Sequence, residues 1–367
     1  MLDVRRLRLL RELARRGTIA AVAEALAYTP SAVSQQLTAL ERETGVRLLE
    51  RTGRRVTLTP AALGLVERTE EVLATLQEAA AELAASATAL SGTLRIGVFP
   101  TAVSTILTPA LVALSTDHPG LDLTVTELDP AAVPDALRDE SLDIALIQEY
   151  DYVPLVSDQG LQTEPLLEET VHLAALTDEP LPARHDATWI AGTPGTLCHA
   201  MTIRACEAAG FTPRIRHHAD DFGAVLALVA AGQGVAFVPD LGAVAAPGGV
   251  VLNPLEIRRR THLAYRRGTA NHPSVAAART ALHTAATNPG LRRRIVRVAE
   301  DVVEPTEFPR RMGKVAPREL AANGYTRYEH LTAVTPAELL KIHGVGPKAI
   351  RILEEELRAR GLAFADD

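Results

Sequence analysis

Thr29, Ser31, Ser34, Gln35 and Thr38 carry short hydrogen-bonding side chains, and they interleave with Val33, Leu37 and Leu40 at helical spacing. If the apolar set is buried, these five and Ala32 must face outward. Hydroxyls and an amide on the first turns of an exposed helix suit hydrogen bonding to base edges in the major groove of double-stranded DNA. Thr29 can cap that helix and Pro30 fits its first position. Just upstream, Ala20, Val22, Ala23, Ala25 and Leu26 give a shorter helix an apolar face, and the chain breaks at Tyr28-Thr29-Pro30. A plain helical hairpin with Ser and Gln in water shows the same pattern, so the flanking elements decide between the two.

Those elements favour recognition. After Gly45 come Val46-Arg47-Leu48-Leu49-Glu50-Arg51, Thr52-Gly53-Arg54-Arg55 and Val56-Thr57-Leu58-Thr59, which predict a two-stranded wing with a basic glycine turn. Arg51, Arg54 and Arg55 would lie against phosphates. Residues 2–16 predict a first helix, with Leu2, Leu7, Leu10, Leu13 and Ala14 on its inner face and Gly17 at its end. From Thr59-Pro60 a long helix is expected to about Leu90. Val66, Thr69, Leu73, Leu76, Ala80, Leu83, Ala87 and Leu90 form a heptad seam along it, which predicts pairing of two chains. Two heads related by a twofold axis read a palindrome at fixed spacing.

The stretch AEALAYTPSAVSQQLTALERETGVRLLERTGRRVTLTPAA resembles the winged helix-turn-helix of LysR-type transcriptional regulators. The resemblance extends to about residue 290. It implies a winged head over 1–59, a linker and dimerisation helix over 60–91, and an effector-binding domain over 92–294 similar to periplasmic binding proteins. In that domain lobe I comprises 92–165 and 266–294, and lobe II 166–265. It further implies a homodimer or homotetramer, a small-molecule effector held between the lobes, and RNA polymerase as a partner.

Charge supports a division of labour. The whole chain of 367 residues carries −7, but residues 1–60 hold eleven Arg against six acidic residues, a net of +5. Residues 61–294 hold sixteen basic against twenty-seven acidic, a net of −11, and residues 295–367 eleven against twelve, a net of −1. A basic head on an acidic body confines DNA binding to one end. No apolar run approaches the roughly 20 residues that span a bilayer, and the arginines near the N-terminus precede no apolar run of signal-peptide length. A cytoplasmic protein with no membrane association is therefore expected. Cys198 and Cys206 make neither a disulfide framework nor a metal pattern, and the histidines are scattered. With no HExxH, GxSxG or Walker-type loop, neither an enzyme nor a cofactor or metal is expected.

Beyond Ser91-Gly92 strands alternate with helices, which predicts an α/β fold with parallel sheets and crossovers. Such sheets bind ligands beyond the carboxyl ends of their strands, at helix N-termini. Phe99 to Ser104 and Gly192 to His199 are two such places. They match the effector cleft of the family, which implies roles for Thr101, Ser104, Gln148, Thr193, Thr196 and His199, with a mild preference for an anionic effector. Each of these residues could instead be a plain helix cap. Cys198 near a helix start could have an acidified thiol, so a redox-responsive regulator is an alternative, although two cysteines eight residues apart on one helix cannot be bridged without unwinding it.

All three lysines lie beyond residue 295, and Glu304-Pro-Thr-Glu-Phe-Pro309 marks a linker over 295–312. LLKIHGVGPKAIRILEEEL resembles a helix-hairpin-helix, so residues 313–367 are expected to be a small all-α domain. The resemblance implies that Gly344, Gly346 and Lys348 hold a DNA phosphate without reading sequence. Glu354-Glu355-Glu356 departs from a basic surface and leaves a protein-interaction role open. Two further classes remain: an architectural, non-specific DNA-binding protein gripping phosphate at both ends, and a small-molecule binding protein or enzyme with a vestigial head.

Overall fold

The computed structural model describes residues 2–52, 55–86, 90–156, 158–243, 246–288, 290–291, 306–313, 315–342 and 344–365. The chain divides into two compact units: Met1–Gln148 with Leu155–Leu167 and Thr261–Ala286, and Glu149–Pro154 with Glu168–Arg260 and Thr287–Asp367.

The first unit opens with three helices. Helix α1, Val4–Arg16, is capped by Asp3, whose carboxylate accepts from Arg5 N–H at 2.8 Å, and ends at left-handed Gly17. Helix α2 is Ile19–Ala25 and α3 is Pro30–Thr44, the latter ending at left-handed Gly45. Leu7, Leu10, Leu13, Val22, Val33, Leu37 and Leu40 form their common core. The inner face of α2 is narrower than the spacing predicts: Val22 and Ala23 are buried, whereas Ala20 and Ala25 face out. Strands β1, Leu49–Thr52, and β2, Arg55–Leu58, pair antiparallel.

Helix α4, Pro60–Ala85, starts on the cap Thr59, whose Oγ1 accepts from Ala62 N–H. It stops short of the expected Leu90, which lies outside it, and Ala87 falls outside the described residues. Its seam divides. Thr69 is buried, Leu73 is half-buried and Val66 packs on the core of the first three helices, while Leu76, Ala80 and Leu83 face outward; the helix instead buries Ala74 and Ala81, which lie off the expected seam. Leu63, Val72, Leu76 and Leu83 are exposed apolar side chains on this one helix. Gly268 abuts α4 so closely, at φ +88°, that a Cβ there would lie 2.2 Å from the Ala74 carbonyl oxygen.

Ion pairs also tie α1 into this unit. Arg16 forks onto Asp139 at 2.9 and 3.0 Å, Arg15 reaches the same carboxylate at 3.0 Å, and Arg8 meets Glu140 at 3.0 Å. Glu12 is buried among Arg11, Arg15 and Arg16. Burial pushes its carboxyl upward, but the three guanidiniums outweigh it and hold the group below the usual carboxylate range.

Strand β3, Gly92–Val98, pairs in parallel with β4, Leu121–Glu127, and β5, Ile144–Tyr150. Between β3 and β4 the chain passes through Pro100–Ala102, a π-helical turn Val103–Leu107, and α5, Thr108–Asp117. Thr108 N–H reaches back to the Val103 carbonyl. That wide turn accommodates Pro109, which has no N–H for the ordinary ladder. Helix α6, Val133–Arg138, lies between β4 and β5.

Strand β6, Leu161–Ala175, and strand β10, Val251–Arg266, are longer than the expected segments and run through both units. In the second unit β7, Thr188–Ala191, pairs in parallel with β8, Arg214–His218. Strand β9, Ala236–Pro239, pairs antiparallel with β6 through Val171↔Pro239 to Ala174↔Ala236. The six-stranded order is β4-β3-β5-β10-β6-β9. The sheet is therefore mixed and not the all-parallel one expected, because the chain re-enters it beside β6 in the opposite sense. Helices α7, Leu197–Ala208, and α8, Phe222–Ala230, flank β8 in sequence, and α9, Pro273–Ala286, returns to the first unit.

Trp189 is fully buried against Phe237, with ring centroids 4.8 Å apart. A fully buried ion pair also lies in the second unit: Arg259 Nη2 donates to both Glu169 oxygens at 2.9 Å, and Glu169 Oε1 also accepts from Leu241 N–H. Burial disfavours the Arg259 cation, but Glu169 outweighs that and raises its pKa above the usual guanidinium value. His172 and Asp240, 2.7 Å apart, are a second buried pair.

In the tail, α10, Val315–Ala322, a 3₁₀ turn Tyr328–Ala333, α11, Pro336–Leu339, and α12, Pro347–Ala359, share a core of their own that includes Phe308, Leu320, Leu331, Leu339, Val345, Leu353 and Leu357. Gly344, at φ +87°, brings the turn before α12 onto α10, where an added Cβ would lie 2.6 Å from Val315 Cγ1. Among the described residues no helix is long and apolar enough to cross a membrane.

Candidate functional site

The outer face of α3 is built from its first turns. Thr29 Oγ1 accepts from Ala32 N–H at 3.2 Å and lies 3.2 Å from Ser31 Oγ, which fixes the helix start. Val33, Leu37 and Leu40 are buried, and Thr29, Ser31, Gln35 and Thr38 are exposed, with Ala32 and Ser34 half-buried between them. Thr38 spends its hydroxyl hydrogen on the Ser34 carbonyl, so its oxygen remains as an outward acceptor. Gln35 makes no hydrogen bond among the described residues. Tyr28, which the sequence marks only as part of the break, is also exposed beside this face. The wing is present as β1 and β2, but Arg54 and the side chains of Arg51 and Arg55 lie outside the described residues.

Thr101, Ser104 and Gln148 belong to the first unit. Thr101 precedes the π turn and Ser104 lies within it, exposed, so the helix start here is wider than the regular one expected. Gln148 is buried on β5.

Thr193, Thr196 and His199 cluster in the second unit, beyond the carboxyl end of β7. Thr193 is tied to Asp220, its N–H donating at 2.8 Å and its hydroxyl at 2.6 Å. Thr196 caps α7: Oγ1 accepts from His199 N–H and donates to the Thr193 carbonyl at 2.8 Å. Both hydroxyls are thus engaged locally. What the cluster presents instead is imidazole. His199 Nδ1 and His218 Nδ1 each lie 3.0 Å from the one Gly192 carbonyl oxygen, with ring centroids 5.6 Å apart. A carbonyl only accepts, so both rings carry hydrogen on Nδ1, which leaves each Nε2 as an acceptor. Sequence reasoning missed His218 and Asp220. The signal lay in their place at and just beyond the carboxyl end of β8, the neighbour of β7.

Cys198 Sγ is 3.6 Å from the buried Tyr150 hydroxyl. Cys206 is fully buried, and burial pushes its thiol up to about 12. Among the described residues no group of three or more His, Cys, Asp or Glu is placed to hold a metal ion.

In the tail, Gly346 sits at the N-cap of α12 without a side-chain cap, and Lys348 is exposed on the first turn. The acidic run is neutralised inside the domain: Glu355 and Glu356 pair with Arg311, Glu356 also with Arg360, and Glu354 with Arg358. Lys341, Lys348 and Arg351 remain exposed with no ion-pair partner among the described residues.

Two family models match. Residues 4–63 match the bacterial regulatory helix-turn-helix of the lysR family, and residues 87–287 match the LysR substrate binding domain. The chain is similar to the transcriptional dual regulator GltC of Bacillus subtilis, 27% identical over 259 residues that cover 65% of this chain and 81% of the relative. It is also similar to a probable hydrogen peroxide-inducible genes activator of Mycobacterium avium, 30% identical over 226 residues that cover 59% and 71%. Among solved structures, an H2O2-bound C206S mutant of Corynebacterium glutamicum OxyR matches at 23% identity and a TM-score of 0.49, covering 82% of this chain and 95% of that one; at that score the likeness decides nothing further. A helix-turn-helix with a polar outer face, followed by an α/β substrate-binding domain that spans more than half of the sequence, places this chain in the LysR family of DNA-binding transcriptional regulators.

Proposed function

We propose that this LysR-type regulator reads an inverted repeat as a homodimer or homotetramer. Thr29, Ser31, Ala32, Ser34, Gln35 and Thr38 of α3 meet base edges, and Arg51, Arg54 and Arg55 of the wing meet phosphates. The observation that carries the reading is α3 itself: a capped helix whose buried Val33, Leu37 and Leu40 turn an uncommitted Gln35 and short hydroxyls outward on the first turns. The exposed stripe Val72, Leu76 and Leu83 on α4 supports pairing of chains, since a lone helix in water would not keep three large apolar groups together on one face.

The effector-binding role belongs to the α/β domain. Thr101, Ser104 and Gln148 serve it in the first unit, and Thr193, Thr196 and His199, joined by His218, in the second. An effector acts by binding one state of the oligomer better than another, which changes the spacing of the heads. In the tail, Gly344, Gly346 and Lys348 form a helix-hairpin-helix that grips phosphate. Its acidic run is already paired within the domain, which supports this role over a protein-binding one. The setting is cytoplasmic, with RNA polymerase as the partner in transcription. The redox reading that the name of the Mycobacterium relative invites finds little support. Cys206 is buried with its thiol pushed up to about 12, and it lies two turns from Cys198 on one helix.

Nuclease footprinting of the full chain on the DNA upstream of its own gene tests the whole reading. A protected, twofold-symmetric site that shifts or shortens with a cell extract is the expected result. Even protection along the fragment would instead establish non-specific binding.

A further inference from the structure

Strand β7 has two ends, and Thr188, at the one remote from the Thr196 cap, opens onto a cavity of about 300 Å³ bordered by Leu176, Thr177, Arg184, Arg216, Gln233 and Val235. We propose that this cavity is a second ligand site, separate from the effector residues, that takes a small organic anion: a monocarboxylate with an apolar body. Its volume sits at the lower end of the range for small-molecule pockets, about 300–1,000 Å³. That suits a ligand of one ring or a short branched chain.

The cavity combines two guanidiniums with an apolar wall. Arg184 is 8% exposed. Its Nη2 donates to the Thr177 carbonyl at 2.6 Å and to Thr177 Oγ1 at 3.0 Å, and Nη1 meets Glu179 at 2.9 Å. Its Nε is buried with no hydrogen-bond partner among the described residues. Arg216, on β8, is exposed and has no ion-pair partner among them. Glu179 is thus matched by Arg184, and Arg216 leaves the cavity with an uncompensated positive charge. Its planar fork is shaped for a carboxylate, which it can hold by two parallel hydrogen bonds. Leu176 is 42% exposed and offers the apolar surface on which a ligand body would rest, with Val235 buried behind it at the cavity border. Such a wall distinguishes an organic acid from inorganic phosphate, which would gain nothing from it.

The test is titration calorimetry of the full chain with sodium phenylacetate as the probe, and with phenylacetamide and inorganic phosphate as its uncharged and fully polar counterparts. Phenylacetate is expected to bind at least about tenfold more tightly than either, as one charge-assisted contact would give. Arg216→Ala is expected to weaken it by about 10- to 100-fold, the same interaction read as a ratio. The melting curve should not move, because Arg216 supports no other group. Leu176→Glu should also abolish binding by placing a like charge on the apolar wall, and Thr196→Val should leave it unchanged. Phenylacetate binding that survives Arg216→Ala, that is lost in Thr196→Val, or that is matched by phenylacetamide would overturn the proposal, as would no binding at millimolar probe.

Discussion

Gln35→Ala isolates recognition from folding. The Gln35 amide is exposed and makes no hydrogen bond among the described residues, so its removal breaks nothing in the head. Alanine is the better helix former by a few tenths of a kcal/mol, so the head should melt unchanged or slightly higher. The whole effect should appear in binding. A side chain paired to a base edge contributes about 1–3 kcal/mol of discrimination. A symmetric dimer makes that contact twice, so loss on a palindrome should reach about 2–6 kcal/mol. Fluorescence anisotropy on the footprinted duplex and on a scrambled duplex, at one fixed salt concentration, gives both affinities. The specific complex should weaken and the scrambled one should not, whereas Arg54→Ala should weaken both alike. Equal losses on both duplexes for Gln35→Ala would refute the assignment of α3 to base reading, whatever the footprint showed.

Three other outcomes are expected. Arg259→Met should destabilise the second unit by about 3–5 kcal/mol, because it leaves Glu169 buried without its counterion. Arg259→Met with Glu169→Leu should recover most of that loss in the denaturant midpoint, and a double variant as unstable as the single one would contradict the ion-pair account. Burial pushes Glu12, Asp139 and Glu164 upward, but arginines, and for Glu164 also Tyr265, outweigh it and depress all three. Depressed carboxylates stabilise the fold above their unfolded pKa of about 4 and cease to do so as pH falls through their lower folded values. Thermal midpoints should therefore hold from neutral pH to about 5 and drop below about 4; a midpoint that rises on acidification would contradict this. Finally, Leu76→Glu with Leu83→Glu should shift the light-scattering mass toward a single chain without unfolding it, since these side chains are 50% and 77% exposed. An unchanged mass would mean that chains pair elsewhere.

What could be read from the sequence was local. Thr29 with Pro30, Thr59 with Pro60, and Gly17 and Gly45 announce helix ends by rules that need no tertiary contact, and the helices begin and end where those residues stand. Arg214 to His218 and Leu121 to Glu127 alternate clearly enough to be placed to the residue. Strands β6 and β10 were harder: Pro165 and Pro254 interrupt them, and Arg258, Arg259 and Arg260 read as surface charge. Burial of Arg259 depends on Glu169, ninety positions earlier, and no periodicity reports such a partner. The same holds for His218, whose role comes from sharing the Gly192 carbonyl with His199. The π turn before Pro109 follows a rule about missing donors that allows several remedies, so the particular one was not legible.

The ion pairs of α1 alter what the charge of the head means. Its net of +5 counts Arg6, Arg8, Arg11, Arg15 and Arg16, yet Glu43, Glu140, Glu12, Glu70 and Asp139 already occupy them. An arginine held by a carboxylate displaces no counterion from DNA, and each phosphate truly neutralised steepens the dependence of log affinity on log salt by about 0.9. Among the described residues Arg5, Arg42 and Arg47 remain for that work, so a head this basic by composition should show a shallower salt slope than its eleven arginines suggest. Its preference among sequences should then persist at ionic strengths that strip a protein relying on bulk charge.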